Sequence, residues 1–169
     1  IDPCAAIDIL EKIDWTHYKD TINLPPSDIG YTLYYQRCCR NNSILNITRD
    51  SFSNLIQWGA TYAINIPPSN LSGQNIINTT PYFNNYPPVY ICAGKPILYD
   101  NGAIDEDNDS LVFSLCTPYS GADIYDPVNI GINGQTPNDE PPPFANIQWQ
   151  SPYNLSNVMG GVPLSINPR

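Results

Sequence analysis

The sequence predicts an all-β fold of two antiparallel sandwich modules, and three observations carry that reading. Proline, glycine and tyrosine number 18, 10 and 12, while charged residues make up only 14% of the chain; this composition suits short strands and turns. Runs of Ala, Leu, Glu and Lys that would favour helices are missing. Short apolar stretches recur between clusters of Asn, Pro and Gly, the spacing of a sandwich of antiparallel sheets. A length of 169 residues holds one large domain or two small ones.

The elements follow in chain order. AAIDILEKIDW is the one candidate helix, but Ile7, Leu10, Ile13 and Trp15 fit a helical stripe only partly, and a strand beginning after Cys4 fits as well. YTLYYQRCCRNNSILNI opens as a strand with Tyr31, Leu33 and Tyr35 on one face and Thr32, Tyr34 and Gln36 on the other; Asn41-Asn42 then marks a turn into a second strand. WGATYAINIPP reads as a strand closed by a proline pair. SNLSGQNIINTTPYFNNYPP has linker composition and no clear period, which places a boundary near residue 80 and divides the chain into modules 1–80 and 81–169. Beyond it VYICAGKPILYD, SLVFSLC and ANIQWQ read as strands, and GGVPLSINPR begins another. PNDEPPP is a stiff exposed loop, because consecutive prolines cannot join a central ladder.

Sixteen acidic residues against seven basic ones give a net charge of −9, a poor footprint for nucleic acid or an anionic membrane surface. No apolar run approaches the roughly 20 residues that span a bilayer. After Lys95 no Lys or Arg occurs until Arg169, yet Asp100, Asp105, Glu106, Asp107, Asp109, Asp123, Asp126, Asp139 and Glu140 lie between them. In AIDEDNDSLVFSL, Asp105, Asp107 and Asp109 stand at alternate positions, so an extended backbone would crowd them on one face. Such crowding asks for water, protons or a cation. An EF-hand is excluded, since its sixth and twelfth positions would be Ser110 and Cys116 rather than Gly and Glu. Calcium bound outside an EF-hand is the expectation, because Asp carboxylates and Asn carbonyls supply the oxygen ligands it takes; a solvated acidic turn is the alternative. Asp100 and the Asn84 and Asn85 of FNNYPP are further candidate ligands, although FNNYPP also reads as an ordinary linker.

Catalytic chemistries fare worse. Aspartates two apart beside a turn suit a cation better than the separated acid and base of a glycosidase. His17 is the only histidine and no nucleophile elbow accompanies it, which disfavours a Ser-His-Asp hydrolase, and phosphate-binding glycine loops are absent. The expectation is that the chain is not an enzyme.

Cys4, Cys38, Cys39, Cys92 and Cys116 include no CxxC, so disulfides are favoured over zinc. Neighbouring thiols on a strand face opposite sides, so Cys38 and Cys39 would need different partners, one of them Cys4. Cys92 and Cys116 flank a strand, turn and strand and are the natural remaining pair, leaving one cysteine for a partner outside these residues or, alternatively, as a buried free thiol. Sequons at Asn41, Asn46, Asn70, Asn78, Asn108 and Asn154 agree with an oxidising, extracellular setting. Tyr31, Tyr34, Tyr35, Tyr82, Tyr86, Tyr90 and Trp149 could build a sugar-binding face or serve as core, and the sequence does not separate the two.

YTLYYQRCCRNNSILNI, TPYFNNYPPVYICAGKPILYDNGAIDEDNDSLVFSLCTPYSGAD and NIQWQSPYNLSNVMGGVPLSINP together resemble a segment of large secreted surface proteins of Bacteroidota, of the gliding-motility-associated and type IX secretion cargo type. The double-Cys strand and the NNxPP stretch carry the likeness, which runs from about residue 23 onward. AIDEDNDSLVFSL is similar to the D-x-D-G-D-x-L turn of bacterial cadherin-like domains: Asp105, Asp107, Asp109 and Leu111 match, and Asn108 stands where that pattern has Gly. The resemblance implies two immunoglobulin-like, cadherin-like sandwiches, incomplete at one or both ends, from a longer cell-surface chain. It implies calcium as cofactor, with Asn84 and Asn85 as junction ligands. Expected partners are neighbouring domains of the same polypeptide and surface glycans or other cell-surface proteins, with no nucleic acid and no membrane insertion. The function it implies is structural or adhesive; a carbohydrate-binding module or an accessory domain of a secreted enzyme is the alternative.

Overall fold

The computed structural model describes residues 16–49, 51, 54–56, 59–71, 74, 75, 78–88, 91, 92, 94–122, 142–161 and 163–166. Among these the regular structure is sheet only, with no helix: β1 (Tyr31–Arg37), β2 (Ala60–Ile66), β3 (Asn70–Leu71), β4 (Gln74–Asn75), β5 (Tyr82–Phe83) and β6 (Ala103–Ile104). They pair antiparallel as β1-β2, β3-β4 and β5-β6. This sheet-only structure of the described residues is compatible with the all-β class expected from the turn-rich composition. The candidate helix at AAIDILEKIDW lies outside the described residues.

Contacts group the chain into two units, residues 1–28 with 69–111 and residues 29–68 with 112–169. The composition boundary near residue 80 falls inside the first unit, and stretches from both sides of it share the second.

The second unit is built on β1 and β2, in register from Tyr31 opposite Ile66 to Arg37 opposite Ala60. β-branched and aromatic residues fill both strands, and Pro67-Pro68 ends β2 because proline has no N–H for the ladder. The alternation read from sequence decides which face is packed. Gln36 and Thr61 are buried on one side, where Tyr34 lies 5.3 Å, centroid to centroid, from the Phe144 ring. Gln36 Nε2 donates to Thr61 Oγ1 at 2.9 Å, Thr61 Oγ1 donates to the Ser120 carbonyl, and Ser120 Oγ donates to the Ala145 carbonyl at 3.1 Å. These bonds satisfy buried polar groups that would otherwise cost about 1–3 kcal/mol each. Gly121 runs over this chain of bonds so closely that a Cβ there would come 3.0 Å from Gln36 Nε2.

Beyond β2 the pairing continues in single bridges, Thr61 with Tyr119, Tyr119 with Asn146, and Ile47 with Trp149. Among the described residues, Ile47, Ile56, Ala122, Phe144 and Ile147 form the buried apolar set. Arg40 ties the segment after β1 to two backbone carbonyls, Nε to Gly59 at 2.9 Å and Nη2 to Tyr119 at 3.0 Å. Burial pushes its pKa down, but a guanidinium stays charged in proteins.

Several expected strands are not realised among the described residues. ANIQWQ contributes bridges at Asn146 and Trp149 instead of a continuous ladder. VYICAGKPILYD turns at Gly94, whose φ is +69°, with Lys95 N–H donating to the Cys92 carbonyl at 3.3 Å. In SLVFSLC the period-two pattern survives, with Leu111, Phe113 and Leu115 half-buried and Val112, Ser114 and Cys116 exposed, but no ladder forms. Alternation describes an extended chain; a ladder also needs a neighbour in register.

The cysteines are joined differently from the sequence expectation. Cys38 and Cys39 are bonded to each other, Cys92 is disulfide-bonded, and Cys116 is a free, exposed thiol. The inference that Cys38 and Cys39 need separate partners assumed strand geometry, and β1 ends at Arg37, before the pair. Cys116, expected opposite Cys92, sits on the exposed phase of its segment instead. Cys4 lies outside the described residues.

Candidate functional site

All six candidate ligands, Asn84, Asn85, Asp100, Asp105, Asp107 and Asp109, fall within the first unit. The two-residue ladder of β5 and β6 positions them. Tyr82 pairs with Ile104 and Phe83 with Ala103, so the same register carried outward sets Asn84 opposite Gly102 and Thr79 opposite Asp107. Both extensions are present as bonds. Asn84 N–H donates to the Gly102 carbonyl at 2.9 Å, and Thr79 donates to Asp107 Oδ2 through both its backbone N–H and, at 2.7 Å, its hydroxyl.

At one end of the ladder, Asn85 Nδ2 donates to Asp100 Oδ2 and to the Asp100 carbonyl, each at 3.3 Å, while Asp100 Oδ1 accepts from Gly102 N–H at 2.9 Å. Tyr99 holds Asn85 in place by donating its hydroxyl to the Asn85 carbonyl at 2.7 Å. FNNYPP is thus tied to residues 99–102 by specific bonds.

At the other end, β6 stops at Ile104 and the acidic run turns. Asp105 Oδ1 accepts from the N–H groups of Asp107, at 2.9 Å, and Asp109, at 3.2 Å, and the Asp105 carbonyl accepts from Asn108 N–H at 3.2 Å. A short Asx side chain capping its own following backbone is a common turn former. The turn needs a left-handed residue at Asn108, whose φ is +61°; asparagine tolerates that region better than most side chains do. The expectation that Asp105, Asp107 and Asp109 share one face of a strand is corrected, because the backbone there is a turn.

Three of the aspartates consequently have separate tasks, while Asp109 contributes its backbone N–H to the Asp105 cap. Asp105 caps the turn, Asp107 meets Thr79, and Asp100 faces Asn85 and Gly102. No three His, Cys, Asp or Glu side chains converge as a metal cluster among the described residues. Asp105 Oδ2 and Asp107 Oδ1 are not used in the bonds above, and residues 106–110 are exposed.

The Thr79 donors, the backbone N–H first and the hydroxyl second, hold the Asp107 carboxyl below its ordinary value of 3.8. Because the folded pKa is depressed, the carboxylate's contribution is present above the unfolded value and is lost as pH falls through the folded one. In metal-free buffer, acid titration followed at the Thr79 amide by NMR should give a midpoint below that of an unperturbed aspartate. Thr79→Val should raise it, but only part of the way, since the backbone donor remains. Identical midpoints in the two chains would show that the hydroxyl does not act on Asp107.

Thr79 was not legible as a site residue, because it lies in a stretch whose composition reads as linker; only the β5-β6 register reveals it. The aromatic candidates are now distinguishable. Tyr34 packs on Phe144, Tyr31 and Trp149 are half-buried, and Tyr35, Tyr82 and Tyr86 are exposed. Tyr90 lies outside the described residues. Tyr62, which the sequence reading passed over, stands directly opposite Tyr35 and is 67% exposed. No family model, curated protein or solved structure matches the chain.

Proposed function

We propose that this chain is a non-catalytic structural or adhesive segment of a long extracellular cell-surface protein, made of immunoglobulin-like modules and stiffened by calcium and disulfides. The observation that carries the reading is the conformation of residues 105–109. Asn108 takes the left-handed backbone that glycine supplies in the D-x-D-G-D-x-L turn, and Asp105 caps the amides of Asp107 and Asp109. A left-handed Asn108 beside the Asp105 cap supports this reading despite the missing glycine. Asp105, Asp107 and Asp109 would hold the ion at the turn, while Asp100, Asn84 and Asn85, at the opposite end of the same short ladder, would lie too far away to share it.

Calcium that binds the folded chain alone raises its stability by RT ln(1 + [L]/Kd), about 2.7 kcal/mol at a hundredfold excess over Kd. The expected result is a melting temperature raised by calcium, returned to its starting value by EDTA, and raised less in Asp107→Asn. Melting curves that coincide with and without calcium would sink the reading.

One observation favours a carbohydrate-binding module as a second reading. The outward face of β1 and β2 sets Tyr35 opposite Tyr62 and Leu33 opposite Ile64, at 58%, 67%, 56% and 45% exposure. Paired exposed rings on a sheet offer a flat apolar surface of the kind that sugar faces stack on. If this reading holds, a glycan array should show binding that Tyr35→Ala and Tyr62→Ala each remove without lowering the melting temperature. An array without hits leaves the structural reading in place.

A further inference from the structure

We draw no further inference here: the strongest candidate, the open groove of about 700 Å³ beside the Gly30 end of β1, lined by Tyr31, Tyr34, Ile66 and Pro142, has nothing in the structure to show what covers it.

Discussion

Gly59→Ala is expected to cost about 3 kcal/mol, the upper end of the usual range for forcing extra volume into a packed interior. Gly59 is buried, and a Cβ placed on it would meet backbone on every near side: the carbonyl oxygen of Gly121, and those of Ala122 and Arg37 at 2.7 Å each. A flexible side chain could move aside; these carbonyls are held. Ala122 accepts the Gly59 N–H at 3.1 Å, while the Gly59 carbonyl receives Arg40 Nε at 2.9 Å, so any shift that makes room for a methyl strains both bonds. Thermal unfolding followed by circular dichroism should show a fall of roughly 6–12 °C. Gly161→Ala is the control: nothing lies within 4 Å of a Cβ there, and the change should stay within about 0.5 kcal/mol of the parent. Equal melting temperatures for Gly59→Ala and the parent chain would show that the backbones around Gly59 are not packed as described.

That packing marks where sequence reasoning reaches its limit. β1 and β2 were legible because each carries enough β-branched and aromatic residues to declare a strand by itself, and the period-two pattern of YTLYYQ assigned its faces correctly. The inward face was less obvious. Gln36 and Thr61 are the buried pair, while Leu33 and Ile64 stay exposed, opposite to a ranking by hydrophobicity. A buried glutamine is tolerable only if it is satisfied, and here its amide donates to Thr61, 25 residues away, whose hydroxyl in turn donates to the Ser120 carbonyl, a further 59 residues on. Composition and periodicity are local quantities and do not contain such pairings.

The candidate site divides along the same line. The acidic run announced itself, but the strand geometry used to place its carboxylates on one face does not survive the Asp105 cap, a competition between side chain and ladder that Asp residues often win just beyond a strand. FNNYPP also reads as a linker because its Asn and Pro content has no period; its bonds to residues 99–102 depend on a register that two residues of β5 and two of β6 establish. The cysteines meet the same limit: strand alternation reaches only to Arg37, where β1 ends, one residue before Cys38.

Ile56→Ala should destabilise the chain by about 2–5 kcal/mol, the range for removing most of a buried isoleucine. Ile56 is 1% exposed and is the largest fully buried side chain among the described residues. It lies in the long connection between β1 and β2, where no strand ladder holds the backbone. Side-chain bonds hold it instead. Asn42 Oδ1 accepts the Ile56 N–H at 2.8 Å, and Arg49 donates to the carbonyls of Asn42 and, at 2.9 and 3.0 Å, Ile44 and Asn54. The connection thus has its polar groups organised around one apolar anchor, and truncating that anchor leaves a cavity that a backbone so tied cannot easily collapse to fill. Ile56→Val removes a single methylene and should cost only about 0.5–1.5 kcal/mol. Chemical denaturation of the parent and the two variants gives the test, with the midpoint falling in that order and the slope unchanged. If Ile56→Ala costs no more than Ile56→Val, the side chain is not enclosed in solution, and the connection would be a loose loop in which Arg49 and Asn42 organise no core.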